Sequence, residues 1–337
     1  MRDVLNNLVG LCYNIAMNQK ELNKFLSQLA ESFFLFAPQR EDDILKIKEV
    51  ENIEDIVWST EMPINSWKDI FLPPEERLFE KVKNNLIESK TDYPPLAGVG
   101  AHILDLKALT LLDQVFGPDS YYQKRRKRII LIGYSADLSA DYKKHKVFSH
   151  NFEEDILEHL AFDVFILKLK NGQLKIYSGS ESGQNILEKF GVSNYQNIEF
   201  AGPIAEKGPD KRMLLLKDRV DKSFNKKIWD ELDKICLACG KCSIVCPTCF
   251  CFDFNDSANP ESASRCRRWG NCFYNDFSRV AGGHKELDTV KQKIYFWYTH
   301  KFVRIPHEYN LPGCVSCNRC SKVCPVGIKI NEVIKSI

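Results

Sequence analysis

The position of the cysteines constrains this 337-residue chain more than any other feature of its sequence. The chain has 13 cysteines, and all of them except Cys12 lie between Cys236 and Cys324. A secreted disulfide scaffold distributes its cysteines through a small chain with little hydrophobic core, whereas 44% of these residues are hydrophobic. Cysteines that cluster in this way in a chain of this size predict metal ligands or redox groups.

The cysteine-rich region contains the same spacing twice. The first run, CLACGKCSIVCP, begins at Cys236, and the second run, CVSCNRCSKVCP, begins at Cys314. Both match C-x2-C-x2-C-x3-C-P, a pattern that holds [4Fe–4S] clusters in bacterial two-cluster ferredoxins and in which the fourth cysteine ligates the other cluster. The spacing therefore predicts two clusters that exchange one ligand between the runs. Cluster one is predicted to take Cys236, Cys239, Cys242 and Cys324, and cluster two to take Cys314, Cys317, Cys320 and Cys246.

Zinc is the competing metal, because zinc ribbons also use paired C-x2-C knuckles. They do not need three cysteines at successive two-residue spacings and a fourth before proline, so the runs favour iron–sulfur clusters. Further cysteines lie between the two runs, at Cys249, Cys251, Cys266 and Cys272. We interpret them as buried free thiols near the clusters, since free cysteine is a common core residue, and a third metal site is the alternative.

Charge and hydropathy exclude several classes of protein. The chain has 47 Lys+Arg against 45 Asp+Glu, a net charge of +2, which gives no case for a nucleic-acid partner. Its N-terminus lacks the pattern of a signal peptide, and no apolar stretch approaches the roughly 20 residues that span a bilayer. We therefore expect a cytoplasmic protein without a membrane span.

The residues before the cysteine region predict a mixed α/β domain. Helices are predicted over Asn18–Phe33 and Glu75–Ser89, and a buried strand over Arg128–Tyr134. A hairpin is predicted around Asn171-Gly172. We expect an N-terminal domain over 1–225 and a cysteine-rich domain over 226–337, in which the aromatic segment Ile294–Phe302 packs around the clusters.

Taken together, these residues resemble a known family: the iron–sulfur subunit shared by cytosolic sulfhydrogenases, in which it is the beta subunit, and by anaerobic sulfite reductases. The resemblance implies an α+β chain, with a mixed α/β N-terminal domain followed by an α-helical ferredoxin-like domain that holds two [4Fe–4S] clusters. It is carried by ICLACGKCSIVCPTCFCFD, CRRWGNCFYNDFSRVAGGH and GCVSCNRCSKVCPVGIKI, and more weakly by WKDIFLPPEERLFE and GVGAHILDLKALTLLDQVF.

The resemblance also implies a role. Such a subunit is not itself catalytic, and relays electrons between a flavin/[2Fe–2S] subunit that oxidises NAD(P)H and a catalytic subunit. That catalytic partner is either a NiFe hydrogenase or a sirohaem sulfite reductase, and the stretch LPPEERLFE favours the hydrogenase branch. Two other classes stay open, a free-standing iron–sulfur oxidoreductase and a zinc-stabilised scaffold. Against the first, the sequence contains no nucleotide-binding glycine loop.

Overall fold

The computed structural model describes residues 17–83, 85–89, 93–138, 156–202, 211–257 and 263–337. The helices are α1 Gln19–Ala30, α2 Lys68–Phe71, α3 Ile103–Val115, α4 Ser120–Arg126, α5 Glu181–Lys189, α6 Lys211–Asp221, α7 Lys227–Ile235, α8 Lys241–Ile244, α9 Val290–Thr299, α10 Ile305–Tyr309, α11 Arg319–Lys322 and α12 Ile330–Ser336. The strands are β1 Phe34–Glu41, β2 Ile44–Glu49, β3 Glu75–Val82, β4 Asn85–Glu88, β5 Leu96–Ala101, β6 Ile129–Ser135, β7 Val164–Lys168, β8 Leu174–Ser178, β9 Gln196–Asn197, β10 Phe252–Ser257 and β11 Ser264–Trp269.

A seven-stranded mixed sheet forms the centre of the N-terminal region, in the order β2-β1-β5-β6-β7-β8-β9. Strands β1, β5, β6 and β7 run parallel to one another. Every residue of β6 is buried, as its continuous apolar sequence predicts, because helices cover both faces of a sheet of this kind. Helix α1 packs on one face and α3 on the other.

The second sheet corrects one prediction from the sequence. Residues 75–89, predicted as a helix, form strands β3 and β4 instead, in a four-stranded antiparallel sheet of order β10-β11-β3-β4. Strands β10 and β11 come from the segment between the cysteine runs, so that segment is not wholly helical. The sheet also joins strands from both sides of the predicted domain boundary at residue 225. The boundary itself stays a prediction.

The remaining cysteine-rich region is helical around an aromatic core. Trp229 on α7 packs edge to face against Tyr298 on α9, and Phe302 lies in the π-helical turn His300–Arg304 that continues α9 into α10. These rings are buried together with helix α12 and contact several of the run cysteines. Ile294–Phe302 therefore packs in a core beside the run cysteines, and its packing around clusters stays a prediction. In the described ranges, no helix has the length and apolarity needed to cross a membrane.

Candidate metal centre

The two cysteine runs fold into similar loops. Each loop has two residues in the left-handed region, at Ala238 (φ 49°) and Gly240 (φ 73°) in the first and at Ser316 (φ 61°) and Asn318 (φ 60°) in the second. A short helix follows each loop, α8 in the first and α11 in the second. Left-handed residues tighten a loop, so the spacing that repeats in sequence also repeats in backbone conformation.

Packing requires glycine at position 240, because the left-handed conformation alone is adopted by an asparagine, Asn318, in the second loop. The side-chain amide of Asn271 donates to the Gly240 carbonyl at 2.9 Å. A Cβ atom at Gly240 would lie 2.2 Å from the same amide nitrogen, closer than real contacts allow. Asn271 lies beside Cys272 in the segment between the runs, so this close approach fixes that segment against the first loop.

The first set of predicted ligands lies around one cavity. Cys236, Cys239, Cys242 and Cys324 all line it, together with Cys320, Lys241 and mainly apolar side chains. Burial raises the pKa of Cys236, and the thiols of Cys324 and Cys239 raise it further. Burial likewise raises the pKa of Cys242 to about 12. The structure therefore brings Cys324 of the second run beside the first three cysteines of the first run.

The second set is buried more deeply. Burial raises the pKa of Cys314 to about 12, with Cys246 and Cys317 among the neighbouring thiols that contribute. Burial also raises the pKa of Cys320 well above its usual value, again with Cys246 nearby. Cys246 of the first run thus lies beside the first three cysteines of the second run.

Both sets fit an iron–sulfur cluster in their chemistry. Buried thiols in apolar surroundings resist ionisation, and bound cations supply the positive charge that deprotonates a coordinating thiol. Trp297 also lines the first cavity, and its buried indole N–H has no hydrogen-bond partner in the described part of the chain. An N–H donor at this position suits the sulfur atoms of a cluster, whose potential depends on such hydrogen bonds.

A buried lysine contacts the second set. The ammonium of Lys301 donates to Cys246 Sγ at 2.9 Å, to Thr248 Oγ1 at 3.1 Å and to the Gly313 carbonyl at 3.2 Å. Burial opposes its charge, but the neighbouring thiols, Cys246 first, raise the pKa of Lys301 well above its usual value. A hydrogen bond from Cys249 and the charge of Lys301 lower the pKa of Cys246. This lysine therefore stabilises a thiolate at Cys246.

Two other cations lie close to this centre. The ammonium of Lys68 donates to the Ile244 carbonyl at 2.9 Å and lies 4.0 Å above the Trp269 ring. Arg319, which is fully buried, forms a bidentate pair with Asp105 at 2.6 and 2.8 Å. Our sequence reasoning did not identify these cations or Lys301. The sequence did offer a reason to consider Arg319, because it lies between Cys317 and Cys320 of the second run.

The four additional cysteines do not form one group. The thiol of Cys249 hydrogen-bonds to Cys246, and Cys251 is a near neighbour of Cys272. Cys266 lies on β11 opposite Asn255, roughly 13 Å along the hairpin from Cys251 at the usual rise of a strand. Among the described residues, no group of three or more His, Cys, Asp or Glu side chains is arranged to hold a single metal ion.

Comparison with known proteins gives two similarities. Residues 235–328 match a family model described as a 4Fe-4S dicluster domain. The chain is also 27% identical over 337 residues to Sulfhydrogenase 2 subunit beta of Pyrococcus furiosus, an alignment that covers 96% of this chain and 98% of that protein. No solved structure matches the chain significantly.

The cysteine site and the matched domain indicate an iron–sulfur protein of the 4Fe–4S type. Clusters of this type carry electrons, and the chain is an iron–sulfur electron-transfer subunit. It is similar over nearly its whole length to one sulfhydrogenase beta subunit, and its cysteine-rich region matches the 4Fe-4S domain model. The resemblance found in the sequence is thereby confirmed.

Proposed function

We propose that the chain is the non-catalytic beta subunit of a cytoplasmic NiFe hydrogenase complex of the sulfhydrogenase type. It relays electrons between a flavin/[2Fe–2S] subunit that oxidises NAD(P)H and the NiFe catalytic subunit. The similarity to Sulfhydrogenase 2 subunit beta extends over nearly the whole of both chains. This similarity favours the hydrogenase branch of the family over the branch of the anaerobic sulfite reductases.

The observation that carries the proposal is the grouping of the run cysteines into two mixed sets. Cys324 lies with the first run and Cys246 with the second, as exchange of the fourth ligand requires. We therefore assign cluster one to Cys236, Cys239, Cys242 and Cys324, and cluster two to Cys246, Cys314, Cys317 and Cys320. When bound, such clusters supply one-electron redox chemistry.

The protein's part in this chemistry is to hold the thiolates, exclude water and set the local charge. The walls of the first cavity include Phe273, Ile294 and Trp297, which are largely apolar. The second set lies beneath the N-terminal region and beside the Lys301 ammonium. Burial and hydrogen bonds to sulfur are two of the means by which a protein sets a cluster potential.

Metal analysis tests the cofactor assignment. We expect protein purified without oxygen to be brown and to contain about eight iron and eight acid-labile sulfide per chain, because each [4Fe–4S] cluster contributes four of each. A colourless preparation containing tightly bound zinc would contradict the assignment. A content of about twelve iron would instead require a third cluster at the additional cysteines.

Hydrogen tests the partner assignment. In the complex purified through a tag on this chain, H2 is expected to reduce the clusters, as seen in their EPR spectra and in bleaching of visible absorption. The isolated chain under H2 is the control, and it is expected to stay oxidised until dithionite is added. An isolated chain that oxidised NADH or reduced sulfite unaided would show that it is a free-standing enzyme.

A further inference from the structure

The two cysteine loops share one backbone conformation but have different surroundings. Val315, which follows Cys314, is only 4% exposed, whereas its counterpart Leu237, which follows Cys236, is 64% exposed. The residue after each run proline differs by cysteine set. Thr248 follows Cys246 of the second set and is 1% exposed, whereas Val326 follows Cys324 of the first set and is 36% exposed. The residues beside the second cysteine set are therefore covered, whereas those beside the first set are exposed to solvent.

The cover of the second loop belongs to the same chain. Val315 and Cys317 belong to the core that contains Trp67, Phe71 and Leu106 of the N-terminal region. The covering surface is therefore mainly apolar.

One ion pair anchors this cover. Arg319 reaches from the second loop to the Asp105 carboxylate on α3, and its Nε donates to the Pro63 carbonyl at 2.7 Å. The N-terminal region thus covers the second loop with an apolar surface that contains one carboxylate.

The first loop has residues that correspond to these, but the described part of the chain does not cover them in the same way. Its counterpart of Arg319 is Lys241, which is exposed and has no acidic partner in the described part of the chain. Leu237 and Val326 line the cavity of cluster one, and Cys239 is exposed beside them. What sets Leu237 apart from other exposed leucines is its place: it lies with Val326 beside the exposed thiol of Cys239, so the apolar surface borders the candidate redox centre.

We propose that this first-loop face, formed by Leu237, Cys239, Lys241, Pro325 and Val326, is the docking surface for the redox partner that exchanges electrons with cluster one. The partner presents an apolar patch containing a carboxylate that pairs with Lys241, as Asp105 pairs with Arg319. The inference rests on the proposed function, because it assumes that the nearby thiolates hold a cluster. Docking here would place the partner directly over the exposed ligand Cys239.

A second copy of the chain fits this face poorly. Helices α8 and α11 lie against each other, and they expose Lys241 and Lys322 respectively. A two-fold dimer through the face would place the same patch on both sides and bring these lysines together. Like charges facing each other across an interface are unfavourable, so a partner with acidic groups fits better.

The first test compares Leu237→Asp with Leu86→Asp in the complex purified through a tag on this chain. Leu86 is 68% exposed on β4 in the other sheet, so it is the matched control. We expect Leu237→Asp to weaken retention of the redox partner at least about tenfold and Leu86→Asp to leave it unchanged. Iron content is measured on both variants and is expected to match the wild-type protein. Because Leu237 lines the cavity of cluster one, the EPR signal of that cluster after reduction by dithionite is used only to show that the cluster is present.

The second test treats the same complex with a carbodiimide, which joins a lysine amine directly to a carboxylate. Mass spectrometry is expected to find Lys241 linked to an Asp or Glu of another subunit, and Lys241→Glu is expected to lose that link and weaken association. Full retention of the partner by Leu237→Asp with intact clusters, or a link from Lys241 to a second copy of this chain, would overturn the docking surface. A wild-type complex that, after reduction by dithionite, showed no cluster EPR signals would overturn the proposed function and the inference with it.

Discussion

At the scale of single residues, charge is distributed unequally between the two cysteine sets. Lys301 contacts Cys246 of the second set directly, and the guanidinium of Arg319 is among the charges that act on Cys317. The first set is lined mainly by apolar side chains and by the indole of Trp297, and the lysine that also lines it, Lys241, is exposed to solvent. A nearby cation favours the more negative, reduced form of a cluster, so we expect cluster two to have the higher reduction potential.

Lys301→Met tests this asymmetry. The substitution keeps an unbranched side chain but removes the ammonium that donates to Cys246 Sγ. A hydrogen bond to a charged group contributes about 1.5–3 kcal/mol, which corresponds to on the order of 60–130 mV for a one-electron couple. We expect the potential of cluster two to fall by this amount, while cluster one moves much less, in an EPR-monitored redox titration.

Lys293→Met is the matched control for this substitution. Lys293 is also buried, but its ammonium donates to the Asn275 side-chain oxygen at 2.7 Å and not to a thiol. We expect it to shift neither potential by more than about half the Lys301→Met effect. Equal shifts in both variants would show that general loss of buried positive charge, and not the bond to Cys246, sets the potential.

At the scale of elements, the cysteine spacing predicted more than the hydrophobic pattern did. The two loops could be predicted because local spacing and left-handed positions determine their form. The strands at residues 75–89 could not be predicted, because Glu76 occupies a buried position of β3 next to Leu78. Buried glutamate hides the alternation that marks a strand.

Glu76 can be buried because its charged partners come from distant parts of the sequence. The Glu76 carboxylate pairs with Arg125 on α4 and, at 2.6 Å, with Arg267 on β11. A buried charge is tolerated only when it is paired and hydrogen-bonded. Sequence periodicity has no access to partners that are brought together by the fold, and the same limit concealed Lys301 and Lys68 beside the second set.

If the two runs exchange their fourth cysteines, cysteines from different runs ligate the same cluster, and this can be tested with Cys→Ser variants. Because Cys324 lies with the first run, we expect Cys324→Ser and Cys236→Ser to damage the same EPR signal, and Cys246→Ser and Cys314→Ser to damage the other. Cys266→Ser, on the distant strand β11, is expected to preserve both signals. If Cys324→Ser instead removed the signal that Cys314→Ser removes, each run would hold its own cluster.

At the scale of the whole molecule, the second cysteine loop is the point where the two regions of the chain are joined. Arg319 and Asp105 are both almost completely buried and are separated by 214 positions in sequence. A buried pair contributes little net stability compared with apolar residues, but removing one partner leaves a buried charge uncompensated at a cost of about 3–5 kcal/mol. The pair therefore determines how the N-terminal region packs against the second cysteine loop.

Arg319→Met measures this contribution. We expect it to lower the free energy of unfolding by about 3–5 kcal/mol, seen as a lower midpoint in anaerobic urea titrations, because the Asp105 carboxylate loses its partner. The double variant Arg319→Met/Asp105→Leu is expected to recover most of the loss, since no charge then stays buried. Arg265→Met, which breaks the exposed pair with Asp256, is expected to change the free energy by less than about 1 kcal/mol. A double variant as unstable as Arg319→Met would show that packing around the guanidinium, and not the stranded carboxylate, holds the N-terminal region over the second loop.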